Sequence, residues 1–192
     1  MKTPKFQLQR ILPFAKQVLS SLLEEGDTAV DATMGNGHDT EFLAKAVGRT
    51  GLVYAFDIQQ AALEATRNRL GPLVSRTELI LGSHANMAER VPAGVTAVMF
   101  NLGFLPSAEE AFVITTGETT IPAIRAALSL LKPGGIISIA VYDGHPGGAA
   151  ERDAVLGFVQ QLDAKDYQVI RYGTMNSLSS PPFLLLIEKS SW

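Results

Sequence analysis

Five short, almost wholly apolar runs recur along the chain, most of them followed by a stretch of helical period, and this alternation leaves few folds open. The runs are TAVDA from Thr28, GLVYAFDI from Gly51 to Ile58, TELILG from Thr77 to Gly82, VTAVMFNLG from Val95 to Gly103 and IISIAVY from Ile136 to Tyr142. Helices are expected over Asp39 to Val47, Ala61 to Leu70, Thr119 to Leu131 and Ala149 to Leu162, with Lys132, Pro133, Gly134 and Gly135 stopping the third. Strands that are apolar on nearly every residue are buried on both faces, as in a parallel sheet covered by helices. Short, right-handed crossovers then make the fold doubly wound.

The two ends of the chain depart from the alternation. Leu8, Ile11, Leu12, Ala15, Leu19, Leu22 and Leu23 recur at helical spacing, so a helix over Phe6 to Leu23 is expected to pack beside the sheet, kinked or broken at Pro13. At the other end YQVIRYG, Tyr167 to Gly173, and FLLLIEK, Phe183 to Lys189, are separated only by a loop containing Pro181 and Pro182. A parallel return needs a crossover of about a dozen residues or more, so these two strands must form a hairpin. The sheet is therefore expected to end in one antiparallel strand.

At 192 residues and 46% hydrophobic, the chain suits one domain over residues 1–192, with the helical segment 1–25 packed on it. No apolar run reaches the roughly 20 residues that span a bilayer, and MKTPKFQLQR lacks the apolar core of a signal peptide. The expectation is a cytoplasmic protein with no membrane partner. Zero cysteines exclude a disulfide framework, thiolate metal sites and cysteine catalysis, and three dispersed histidines leave little for a metal centre, so no metal is expected. The net charge of −3 does not attract nucleic acid globally. Lys2, Lys5, Arg10 and Lys16 nevertheless stand in the first 16 residues with no acid among them, as a phosphate-contacting patch or a solvated helix face.

The loop Met34 to His38 leaves the first strand and feeds a helix, so its N–H groups and the helix dipole face the crevice at the strand ends, where ligands bind in such folds. Gly35 and Gly37 permit close backbone approach. A dinucleotide fingerprint reads G-x-G-x-x-G, whereas this loop reads GNGHDT, with Thr40 in place of the third glycine. Asp57 closes the second strand and can accept from two ribose hydroxyls in either NAD or S-adenosylmethionine. The terminal hairpin resembles class I methyltransferases and favours S-adenosyl-L-methionine. His84, in GSHAN, lies where adenine would lie, beside Ser83.

The fourth strand runs into NLGFLP, Asn101 to Pro106. It resembles the N-P-P-[YF] motif of amino-group methyltransferases, in which Asn holds the target nitrogen and an aromatic ring packs on the base. Asn101 would orient an amine and Phe104 would stack on an unpaired base; the alternative is a turn cap and a core phenylalanine. After the fifth strand, YDGHPGG from Tyr142 to Gly148 carries Asp143 and His145 on a small-residue loop. A histidine, with an ordinary pKa of about 6.5, can take the proton that an amine must lose before attack.

VDATMGNGHDT, YAFDIQ, GSHAN, MFNLGFLP, LKPGG, VYDGHPGG and PPFLLLIEK, in this order, resemble the MnmM (YtqB-like) family, class I S-adenosylmethionine-dependent tRNA methyltransferases long described as rRNA methylases. The likeness runs from about residue 6 to 189. It implies a Rossmann-like α/β fold with a seven-stranded, mostly parallel sheet, an antiparallel C-terminal hairpin strand and helices on both faces. It also implies methylation of the aminomethyl group of 5-aminomethyl-2-thiouridine at the tRNA wobble position, with the anticodon stem-loop as partner. The resemblance places the cofactor on Asp31, Asn36, Gly37, Asp39, Thr40, Asp57 and His84, and the acceptor near Asn101, Gly103, Phe104, Tyr142 and His145. Loop neighbours complete the set: Thr33, Met34, Gly35, Ile58, Gln59, Ser83 and Asn101 for the cofactor, and Leu105 and Gly144 for the acceptor. Asn101 and His145 are the catalytic candidates. Two departures concern the substrate side: SAEEA from Ser107 stands where Gly-Gly-Asp-Lys is usual, and Ser179 or Ser180 where an asparagine precedes Pro-Pro. An rRNA base or small-molecule amine methyltransferase, and a non-catalytic RNA-binding protein on the same fold, remain alternatives. Pattern leaves the exposed faces of the first helix and last hairpin undefined, so a homodimer stays open.

Overall fold

The computed structural model describes residues 8–103, 115–177 and 181–191. The apolar runs form β1 (Thr28–Asp31), β2 (Leu52–Asp57), β3 (Thr77–Leu81), β4 (Val95–Leu102) and β5 (Leu131–Val141), and the hairpin forms β6 (Tyr167–Gly173) and β7 (Phe183–Lys189). The helices are α1 (Ile11–Leu22), α2 (His38–Ala46), α3 (Gln60–Leu70), α4 (Gly117–Leu130) and α5 (Gly148–Val159). All seven strands join one sheet in the order β3-β2-β1-β4-β5-β7-β6. Pairings through β5 are parallel, and β7 runs antiparallel to both β5 and β6.

The antiparallel strand is thus internal and does not end the sheet. Burial explains the order: Phe183 to Ile187 are all buried, so β7 needs neighbours on both sides, whereas β6 alternates between half-buried and exposed residues and suits the edge. The first helix begins at Ile11, later than the sequence periodicity suggests. Pro13 has no N–H to give, so it fits the first turn, where that donor would have no partner inside the helix. LKPGG also belongs to a strand: β5 starts at Leu131, and the register against β4 shifts between Val95 and Ala97 to accommodate it. Two 3-10 segments, Gly71–Arg76 and His84–Glu89, have no signal in the apolar pattern.

The alternation of side chains along each strand sorts the core into two layers. Ala29, Val53, Ala97 and Met99 face α1, α2 and α3, where they meet Leu19, Leu43, Ala44 and Leu70. Val30, Phe56, Val98, Phe100, Ile137 and Ile139 face the other way, against Ile124 of α4 and Val155 of α5. The same parity governs the strand ends. Asp31 is two residues beyond Ala29, and Asn101 two beyond Met99, so both project on the α1–α2 side; Tyr142 follows Ala140, which packs against Ala15 of α1. The first helix therefore packs as a wall along the carboxyl ends of these strands. Leu19, fully buried, anchors it. Leu19→Ala is expected to cost about 2–5 kcal/mol, the usual range for emptying a closed leucine site, measured as a shift in urea midpoint; a loss below about 1 kcal/mol would show that α1 is a peripheral attachment.

Candidate functional site

Strand order reverses at β1, whose neighbours are β2 and β4, and a cavity of about 1050 Å³ opens there at the carboxyl ends of the strands. The glycine loop forms its floor. Gly35 and Gly37 both adopt positive φ (50° and 77°), and a Cβ on Gly37 would lie 2.7 Å from the Thr66 hydroxyl of α3. The loop is pinned from outside as well: Thr66 Oγ1 donates to the Gly35 carbonyl at 3.0 Å and Arg69 Nε to the Asn36 carbonyl at 2.6 Å. Asp57 reaches across from β2 and accepts the Gly35 N–H on one oxygen and the Gln59 N–H on the other, both at 2.9 Å. Each carboxylate oxygen keeps a further lone pair for another donor.

Asp39, near the start of α2, makes the central contact. One of its oxygens accepts from Asn101 Nδ2 at 2.5 Å and the other pairs with Lys16 Nζ of α1 at 2.7 Å. A carboxylate only accepts, so the Asn101 amide nitrogen must face Asp39 and its oxygen is turned the other way. The Asn101 backbone N–H donates to Thr33 Oγ1 at 2.7 Å, which fixes the end of β4 against the end of β1. Beneath this pair Asp31 is fully buried, accepting from Thr40 Oγ1 at 2.7 Å and the Thr33 N–H at 3.1 Å. Burial first, then repulsion by Asp39 and more weakly by Asp57, pushes the Asp31 carboxyl up to about 7 against those two hydrogen bonds.

His84 closes the β3 side. Its Nδ1 lies 2.9 Å from the Ala32 carbonyl, which can only accept, so Nδ1 carries the proton. Burial holds the ring's pKa below the ordinary value, against the raising influence of that hydrogen bond and of Glu151 and Asp57. Ser83 caps the following turn by accepting the Ala85 N–H at 3.2 Å. Tyr142 lines the opposite wall; burial, then the charge of Asp39, raises its hydroxyl pKa.

The structure gathers Thr33, Met34, Gly35, Asn36, Asp39, Asp57, Ile58, Gln59, Ser83, His84, Asn101, Gly103 and Tyr142 around this one cavity. Asp31, Gly37 and Thr40 stand behind its lining residues as supports. Gly144 is exposed and outside the lining. His145 is also outside it, beside Gly103: a Cβ on Gly103 would be 3.7 Å from His145 Nε2. Asp143 pairs with Arg152 of α5 at 2.5 Å. Phe104 and Leu105 lie outside the described residues, as do the SAEEA segment and both Ser179 and Ser180.

Leu12 and Lys16 of α1 and Thr115, Thr116 and Thr119 around the start of α4 also line the cavity, and the sequence reading did not assign them there. Lys16 had a signal, as the last cation of the basic N-terminal run, but nothing local pairs it with Asp39. Among the described residues no group of three or more histidines and carboxylates is arranged to hold a metal ion, and no helix is long and apolar enough to cross a membrane.

The raised Asp31 pKa has a consequence for stability. Between its ordinary value of 3.8 and about 7 the folded protein holds a proton that the unfolded chain has lost, so this group's contribution is complete at low pH and is lost as pH rises through about 7. Asp31→Asn cannot ionise and escapes that loss. Its Tm relative to wild type is expected to rise between about pH 5 and about pH 8, and a difference independent of pH would show that Asp31 ionises normally in the fold.

The fold recurs in known proteins. Residues 53–188 match the model of the family described as "Putative rRNA methylase". A chain from Clostridium thermocellum described in the same words superposes with a TM-score of 0.92 at 41% identity, covering 96% of this chain and 100% of its own. SMU.1697c of Streptococcus mutans, solved in complex with SAH, gives 0.86 at 42% identity, over 95% of this chain and 99% of its own. The chloroplastic tRNA (mnm(5)s(2)U34)-methyltransferase of Arabidopsis thaliana is 37% identical across 97% of this chain and 72% of its own length. With the seven-stranded order, the internal antiparallel β7 and these matches together, the chain belongs to the rRNA methylase family and has its class I methyltransferase fold.

Proposed function

We propose that the protein transfers a methyl group from S-adenosylmethionine to the aminomethyl nitrogen of 5-aminomethyl-2-thiouridine at the wobble position of tRNA. The observation that carries this reading is the Asp39–Asn101 contact, which leaves an amide oxygen at the cavity edge to receive an N–H. The Arabidopsis relative, named for its action on tRNA wobble uridine, narrows the acceptor.

The donor set suits a cationic cofactor. Asp31, Asp39 and Asp57 surround the glycine loop, and Lys16, the one lysine or arginine among the described lining residues, is already paired with Asp39. A diphosphate would meet net negative charge there, whereas a sulfonium and an ammonium would be stabilised by it. Asp57 would hold the ribose diol with its remaining lone pairs, Ile58, exposed at the lip, would give the base an apolar wall, and the Gly35–Gly37 backbone would allow close approach. When bound, S-adenosylmethionine supplies an electrophilic methyl carbon whose bond to sulfur breaks as the bond to nitrogen forms, leaving a thioether.

The chain's own part is mainly placement. Asn101 Oδ1 accepts one amine N–H, so the nitrogen lone pair is aimed along the transfer line, and Asp39 prevents the amide from flipping. Tyr142 and Gly103 form the wall on which the acceptor base rests. His145, beside Gly103, takes the proton that the substituted nitrogen must shed. Arg10, exposed just before α1, is available for RNA phosphates, which implies salt-sensitive binding. A cytoplasmic location is part of the proposal and rests on the cysteine-free composition, which suits a reducing compartment.

The test is incubation of the purified protein with labelled S-adenosylmethionine and undermodified tRNA carrying the aminomethyl nucleoside, followed by digestion and mass identification of the product. A methylaminomethyl nucleoside is expected. Asn101→Ala should lower kcat about a hundredfold or more with SAH binding retained; unchanged turnover would remove Asn101 from the chemistry. The family description favours a second reading, a ribosomal RNA acceptor, and label appearing only in rRNA would select it.

A further inference from the structure

The first turn of α5 carries a buried acid that the chemistry above leaves unused. Glu151 is 3% exposed, and it shares one helix face with Val155 and Val159, both packed in the core. Among the described residues it makes no ion pair with a lysine or arginine. Its oxygens accept instead from two hydroxyls, Thr115 Oγ1 at 2.8 Å and Thr120 Oγ1 at 2.6 Å. A buried carboxylate without a cation is costly, and packing alone would be served better by an apolar residue.

The Thr115 hydroxyl shows what the charge achieves. It has one proton, which the carboxylate claims, so its lone pairs are left for the Gly103 N–H, which donates to it at 3.1 Å. The Thr115 N–H returns to the Gly103 carbonyl at 3.3 Å. Gly103, two residues beyond Asn101, is held at φ 145° between Tyr142 and His145. The loop after β5 is wound onto the same turn of α5: Gly148 N donates to the His145 carbonyl at 3.0 Å and Glu151 N to the Gly147 carbonyl at 3.1 Å.

We propose that Glu151 is a positioning residue for the methyl acceptor: through the Thr115 hydroxyl it sets the Gly103 peptide, and so ties the end of β4 to the loop after β5 as one acceptor wall. This rests on the reading above that the acceptor lies between those loops. A glutamine at 151 offers one acceptor oxygen where two hydroxyl protons need acceptors, so the Thr115 proton loses its direction.

Glu151→Gln, Thr115→Val and Thr120→Val separate this role from simple support. Thr115→Val and Thr120→Val each remove one hydroxyl from the carboxylate, but only Thr115→Val also removes the contact to Gly103. On an anticodon stem-loop bearing 5-aminomethyl-2-thiouridine, Glu151→Gln and Thr115→Val are expected to lose about tenfold or more in kcat with the KM for S-adenosylmethionine little changed, while Thr120→Val keeps wild-type kcat although its Tm falls comparably. A Thr120→Val variant as slow as Thr115→Val, or three variants of wild-type kcat, would overturn the proposal. A second readout needs no acceptor: in 15N-labelled protein the Gly103 amide resonance should shift in Glu151→Gln and Thr115→Val and stay in Thr120→Val. If the wild type methylates no anticodon stem-loop, the substrate assignment fails by itself, and the Gly103 amide still decides the role of Glu151; an unmoved resonance in both variants refutes it.

Discussion

One carboxylate joins three parts of the chain that are far apart in sequence. Asp39 receives Lys16 from α1 on one oxygen and Asn101 from β4 on the other, while its own helix starts from the glycine loop after β1. The cavity has its shape because these three elements meet at that point. Asp39 sits in the first turn of α2, where the helix dipole favours a negative charge, so the local fold stabilises the group on which the long-range contacts converge. The orientation of the Asn101 amide follows from a rule of valence: a side chain that can only accept must face the nitrogen.

Charge separates the cavity from the nucleotide sites that share its topology. Glycine loops at helix starts commonly hold phosphates, because backbone N–H groups and the helix dipole both favour anions. Here Asp39 and Asp57 counter that preference, and Asp31, by its burial and then by the Asp39 charge, holds its proton to near neutrality. The same backbone device thus presents a site tuned for positive charge. Thr66 and Arg69 of α3 hold the loop by its carbonyl groups.

Most of the fold was readable because burial on both faces writes itself as unbroken apolar runs, and β1 to β5 stand where those runs are, with β5 starting five residues early. The hairpin was readable from the short link between β6 and β7. Its placement was not, because the choice of inner strand depends on comparing the burial of Phe183–Ile187 with the exposed residues of β6. On the site, Asp57, His84 and Asn101 were legible as polar residues at strand ends. Lys16 was not, since its partner is 23 positions away and no local pattern encodes that distance. Glu151 left a readable trace, an acid four and eight residues before Val155 and Val159 on an otherwise apolar helix face, though its hydroxyl partners are visible only in three dimensions.

The internal position of β7 also orders events during synthesis. In the finished sheet β6 touches β5 only through β7, yet β6 is made first. Until Phe183–Lys189 leave the ribosome, β5 presents an open edge of unpaired backbone groups and β6 has no strand on which to dock. A variant in which Phe183–Lys189 cannot pair is therefore expected to leave the β5 edge open to edge-to-edge aggregation.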